Sequence, residues 1–127
     1  MADTDFFFVD EIVSNRAVSY TKEGGRLRSA MFEHPARGSS AGGGYSTARD
    51  LMRFAAALKA GPLSGPVSGS LGIAGGSPGV NAALEIAADR GLTVVVLCNA
   101  DPPCAEKASR KIRGLLPRAL VPGAGTP

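Results

Sequence analysis

The segment Leu92-Thr93-Val94-Val95-Val96-Leu97-Cys98 constrains this chain more than any other. Every residue in it is apolar or β-branched, none is charged, and the run is short for a buried helix. It predicts a strand covered on both faces. Asp89-Arg90-Gly91 lies just before it as a short turn, and residues 80–88 before that turn are again largely apolar. The two strands are therefore expected to pair as an antiparallel hairpin.

A chain of 127 residues makes one domain or part of one. It is too short for a (β/α)₈ barrel or a full α/β-hydrolase. Hydrophobic residues at 44% suffice for a core, and charged residues at 20% are too few for a disordered polyelectrolyte. The 17 glycines and nine prolines imply long stretches of turn and loop. A net charge of +3, without a basic stripe interleaved with aromatics, argues against a nucleic-acid partner. Cys98, Cys104 and His34 have the spacing of no zinc site, and two cysteines are too few for a disulfide scaffold, so neither metal nor cofactor is expected. Asp3 and Asp5 stand where a signal peptide would be basic, and the aromatic run from Phe6 stops at Val9. The expectation is a cytoplasmic chain with no membrane contact, although a full-length parent could be exported.

Other elements follow from local chemistry. Residues 1–16 read as irregular. Ala17–Thr21 and Arg26–Ala30 flank the turn chemistry of Glu23-Gly24-Gly25 and predict a surface hairpin. The glycines from Gly38 to Gly44 forbid a regular element. Thr47-Ala48-Arg49-Asp50 has capping-box spacing, and Leu51, Phe54, Ala55 and Leu58 make one helical face that Gly61 and Pro62 close. Gly61–Gly72 reads as loop or linker. A second helix is expected from Pro102, capped by Asp101, with Ala108, Ile112, Leu115 and Ala119 on its apolar face. Lys107, Arg110, Lys111, Arg113 and Arg118 fall elsewhere on it, an ordinary solvated face. Residues 121–127 read as a frayed tail. The fold class is α+β: a small antiparallel sheet with the C-terminal helix packed on it.

Five blocks, in order, resemble the β-lactamase-related serine hydrolases, a family of class C β-lactamases, D-Ala-D-Ala carboxypeptidases and esterases. Met1–Phe6 is similar to its Met-x-x-Thr-x-Phe stretch. Ala17–Thr21 is similar to an Ala-x-Gly-Tyr strand, and Ser40–Leu51 to a glycine-rich loop and following helix. Gly72–Asn81 resembles its third-motif strand, and Val94–Asn99 with Asp101-Pro102-Pro103 its last strand and final helix. The resemblance spans residues 1 to about 118 and covers only the C-terminal part of that family, so residues 1–120 would be a truncated portion of its domain. It implies a partial β-lactamase/transpeptidase-like fold. The family's chemistry uses Ser-x-x-Lys on a helix and Tyr-x-Asn. Neither is found here in that setting, so the chain is expected to be inactive alone.

The resemblance implies that Gly75 and Gly76 lie on the strand bordering the active site, with the Gly76 N–H completing an oxyanion hole. A glycine-rich bend at a sheet edge explains the same residues without function. Ile73 stands where relatives carry His or Lys, which argues against β-lactamase or carboxypeptidase activity and for an esterase-like parent. Ser19-Tyr20-Thr21-Lys22 matches Ser-x-x-Lys only by letter, since i and i+3 of a strand face opposite ways. Gly38-Ser39-Ser40-Ala41-Gly42 matches a nucleophile elbow, yet it lacks the preceding strand and the Ser–acid–His order. Ser40 remains the candidate nucleophile if the chain is a small independent esterase. His34 is expected to be a solvated loop residue, and Tyr45 and Asn81 to satisfy local backbone. The expected partners are a small ester or amide only in a full-length parent, and otherwise a second chain or a second copy at the sheet edge and apolar face that truncation uncovers.

Overall fold

The computed structural model describes residues 1–61 and 69–116. Strands β1 (Tyr20–Glu23) and β2 (Arg26–Ser29) pair antiparallel and close at Glu23 opposite Arg26. Gly24 and Gly25 sit between them at φ 55° and 81°, the two positive values a tight hairpin turn requires. Only Thr21 in this hairpin is even half-buried, as a surface ribbon predicts. It starts later than the β-prone run at Ala17. The Val18 carbonyl instead accepts from Asn99 Nδ2 at 3.0 Å, and the Tyr20 N–H donates to the Asn99 carbonyl at 3.2 Å.

Helix α1 (Ala48–Ala60) begins and ends where its sequence signals place it. Thr47 Oγ1 accepts from the Asp50 N–H at 3.2 Å, and Gly61 takes the left-handed conformation with its N–H on the Ala57 and Leu58 carbonyls. Strands β3 (Ser70–Ser77), β4 (Val80–Ala87) and β5 (Leu92–Cys98) form an antiparallel sheet in the order β3-β4-β5. Ala55 of α1 packs with Leu84 and Ile86 of β4, and Phe54, Leu58, Leu71 and Val95 surround them. Ile86 is buried completely, worth about 1.5–3 kcal/mol in transfer free energy.

Helix α2 (Cys104–Leu115) covers the opposite sheet face, where Asn81 and Glu85 point away from Leu84 and Ile86 by strand alternation. The Ala105 N–H donates to Asn81 Oδ1 at 2.6 Å, and Ser109 Oγ donates to Glu85 Oε1 at 2.5 Å. Arg113 adds an ion pair with Glu85 at 3.1 Å. The result is an α+β fold with a small antiparallel sheet and its C-terminal helix packed on it. Among the described residues, no helix is long and apolar enough to cross a membrane.

Four expectations change. The segment 61–72 is not loop throughout: Ser70–Gly72 pair with Glu85–Ala87, because Leu71 has a core to enter and β4 offers a ladder. Residues 62–68 lie outside the described residues, as does the tail 117–127 with Arg118 and Ala119. Strand β5 has α1 and α2 on its two faces, as its apolar run predicts, but it is an edge strand and the cover is incomplete at its end, where Leu97 keeps 43% of its surface exposed. Helix α2 starts at Cys104 without a side-chain cap, since the Asp101 carboxylate is used elsewhere. Its packed face is Ala105 and Ser109, small enough to lie close to the sheet, while Leu115 stays 86% exposed. Cys98 and Cys104 form a disulfide that ties the end of β5 to the first residue of α2.

Candidate functional site at the β3–β4 turn

The polar groups of the fold converge on the turn Ser77-Pro78-Gly79-Val80. Gly79 has φ 74°, and a Cβ there would stand 2.8 Å from both Ala30 Cβ and the Tyr20 nitrogen, so only glycine fits. Its N–H donates to Asp101 Oδ1 at 2.8 Å. Asp101 Oδ2 accepts from the Lys22 N–H at 3.0 Å and from Thr21 Oγ1 at 3.1 Å. These donors, the Gly79 N–H first, hold the Asp101 carboxyl below the usual carboxylate range. One side chain thus pins the turn and β1 to the end of β5.

Gly75 and Gly76 lie on β3 opposite Ala82 and Asn81, and both are exposed. A Cβ at Gly76 would meet Pro102 Cγ at 2.7 Å and the Val80 carbonyl oxygen at 2.8 Å, so the bare backbone is needed for close packing. Asn81 Nδ2 donates to the Gly75 carbonyl at 2.9 Å and to Glu106 Oε1 at 3.3 Å. Asn81 therefore fixes β3 to the start of α2, a wider task than satisfying local backbone. Ile73, Gly75 and Ser77 share one face of β3 by strand alternation. Ile73 is 48% exposed there.

His34 is not a free loop residue. Its Nδ1 lies 3.0 Å from Ser77 Oγ and its Nε2 lies 3.2 Å from Ser19 Oγ. Ser19 is 6% exposed, beneath the Gly79 turn, and not on a surface strand. It precedes β1, its hydroxyl contacts His34, and among the described residues no hydrogen bond joins it to the Lys22 ammonium, so the two residues do not form a catalytic pair.

Ser40 sits elsewhere. It is exposed in a tight loop closed by reciprocal Ser39 and Gly42 backbone bonds of 2.8 and 2.9 Å. Among the described residues no hydrogen bond joins Ser40 to His34, and α1 begins eight residues later, at Ala48. Tyr45 bridges to Asp5 through backbone bonds, and its ring lies 5.9 Å from that of Phe7. Asp50, fully buried, accepts from the Asp3 N–H at 2.8 Å and Thr4 Oγ1 at 2.9 Å, and so anchors the N-terminal segment to α1.

Sequence reasoning reached Gly75, Gly76 and Ile73, which the structure places on one exposed strand. It missed Ser77 and the roles of His34, Ser19 and Asp101. The Ser77-Pro78-Gly79 run signalled a turn but not its neighbours. Chemically, the region offers fixed backbone on β3 and one imidazole between two hydroxyls. Comparison of the chain with known protein families, with curated proteins and with solved structures finds no match.

Proposed function

We propose that this chain is the C-terminal part of a β-lactamase-related serine hydrolase, contributing β3 to an acyl-transfer site whose nucleophile lies outside it. The reading rests on the order of the five sequence blocks and is supported by one structural observation above all: the open edge of β5 beside an apolar groove. β4 pairs along one side of β5, and among the described residues no strand pairs along the other. A groove of about 480 Å³ runs beside that edge between α1 and α2, lined by Met52, Leu92, Val95, Ile112 and Leu116. An unpaired edge beside an apolar groove suits a further strand and helix, from the same polypeptide or from a separate chain.

In this role Gly75 and Gly76 present backbone to the substrate, and the Gly76 N–H donates to the oxyanion of the acyl intermediate. Asp101 and Asn81 hold that backbone in place. Ile73 supplies apolar contact where a basic side chain would bind a carboxylate, which favours neutral esters. The family reaction still requires Ser-x-x-Lys and Tyr-x-Asn from the missing part.

The test is reconstitution. The chain is co-expressed with the amino-terminal segment of a family esterase, cut before its own Met-x-x-Thr-x-Phe stretch. Hydrolysis of 4-nitrophenyl butyrate and of a chromogenic β-lactam is measured against each piece alone. The expected result is ester hydrolysis above the sum of the pieces, with β-lactam turnover raised by Ile73→His. Purified complexes with no gain, or no complex at all, would sink the reading.

A further inference from the structure

One cluster of reactive groups is left unused by that reading. His34 lies between two serine hydroxyls, at 3.0 Å from Ser77 Oγ and 3.2 Å from Ser19 Oγ. The two serines differ in access: Ser19 is 6% exposed, whereas Ser77 is half-buried at the outer end of β3. A neutral imidazole has one donor and one acceptor nitrogen. With the proton on Nε2, it donates to the buried Ser19 Oγ and accepts from the accessible Ser77 Oγ at Nδ1. This is the order nucleophile, base, orienting group on which serine acyl transfer depends.

We propose that Ser77, His34 and Ser19 form a nucleophile–base–orienter relay that gives this chain a hydrolytic activity of its own toward small esters with an apolar acyl group. Ser77 Oγ attacks the ester carbonyl, and its proton passes to His34 Nδ1 as the Oγ–C bond forms. The carbonyl–oxygen bond to the leaving group breaks, and that oxygen takes the proton from His34. Water then attacks the acyl-Ser77, giving its proton to His34, which returns it to Ser77 Oγ as the carboxylic acid departs. No other reactant is needed.

The surroundings specify the acyl group. Gly75 lies two residues from Ser77 on the same strand face and leaves a bare strip of backbone, with the half-exposed Ile73 beyond it. A short acyl chain from Ser77 along Gly75 to Ile73 meets no charged side chain of β3. Asp101 acts as a positioning residue, because its bond to the Gly79 N–H fixes the turn that carries Ser77. Ser19 is a second positioning residue.

The experiment treats the full chain with an alkyl fluorophosphonate and, separately, with 4-nitrophenyl butyrate. Intact mass and peptide mapping locate the adduct, while amide exchange in β4 monitors folding. The expected result is one adduct, on Ser77, retained in Ser40→Ala and lost in Ser77→Ala and His34→Gln. Ester hydrolysis by Ser77→Ala should fall about 100-fold or more, the usual span for losing a base-activated group. Ser19→Ala should lower kcat with KM and the protection of the β4 amides both unchanged, a combination that a loss of structure would not give. An adduct on Ser40 or any other residue, or no adduct on a chain with protected β4 amides, overturns the proposal. The outcome is separable from reconstitution, since the relay uses no group from another segment.

Discussion

At the scale of single residues, two carboxylates do most to organise the chain, and both are engaged by distant partners. Burial opposes the Asp50 charge, but hydrogen bonds from the Asp3 N–H, Thr4 and Arg53 outweigh it, lowering its pKa from 3.8 to about 2. A depressed folded-state pKa means the anion stabilises the native state above the unfolded value and loses that effect as pH falls through the folded one. Between about pH 4 and pH 2, the N-terminal segment should therefore release from α1. Protection of the Asp3 amide, measured against its intrinsic exchange rate, should fall over that interval, and Asp50→Asn should remove the pH dependence of that protection. Equal protection in the two proteins across that range would contradict the assignment. These residues also mark where sequence reading stops. His34 meets partners 15 and 43 positions away, and no periodicity or local propensity encodes such separations. Asp101 looked like a helix cap because capping is local chemistry, yet the Gly79 N–H, 22 positions distant, takes the carboxylate.

At the scale of elements, legibility follows the locality of the signal. Helix α1 is readable at both ends because Thr47 and Gly61 act within one turn of the helix they bound. The hairpin of β1 and β2 is readable from its glycine pair. Helix α2 is not, since its packed face is chosen by Asn81 and Glu85 on β4 rather than by its own larger apolar residues. The Cys98–Cys104 bond substitutes for the cap this helix lacks. Closing so short a loop stabilises by about 2 kcal/mol in the chain-entropy account. Reduction, or Cys104→Ser, should lower the melting temperature accordingly and speed exchange in α2 before it does so in β4. An unchanged melt under reducing conditions would show the bond to be incidental.

At the scale of the whole molecule, the sheet has two edge strands among the described residues, β3 and β5, and the groove lies beside β5. The apolar run 92–98 signals a strand and forms one, but its uniform hydrophobicity also signals cover on both faces that the described residues only partly provide. Such an edge, uncharged and without proline, is a template for another chain. The isolated protein should therefore self-associate as its concentration rises, and sedimentation velocity should detect this. Leu97→Lys places a charge on the edge strand at a position already 43% exposed and should restore the monomer. A chain that stays monomeric and unfolds cooperatively with several kcal/mol of stability would count against an incomplete domain.

The Asp101 carboxylate has a consequence in time. It fastens Thr21 and Lys22 across separations of 80 and 79 residues. During synthesis, β1 and β2 leave the ribosome long before their anchor has been translated. At the usual elongation speed, that interval lasts on the order of ten seconds. For that period the hairpin has only its own turn to hold it, and the Ser19 hydroxyl, later enclosed, is open to the cell.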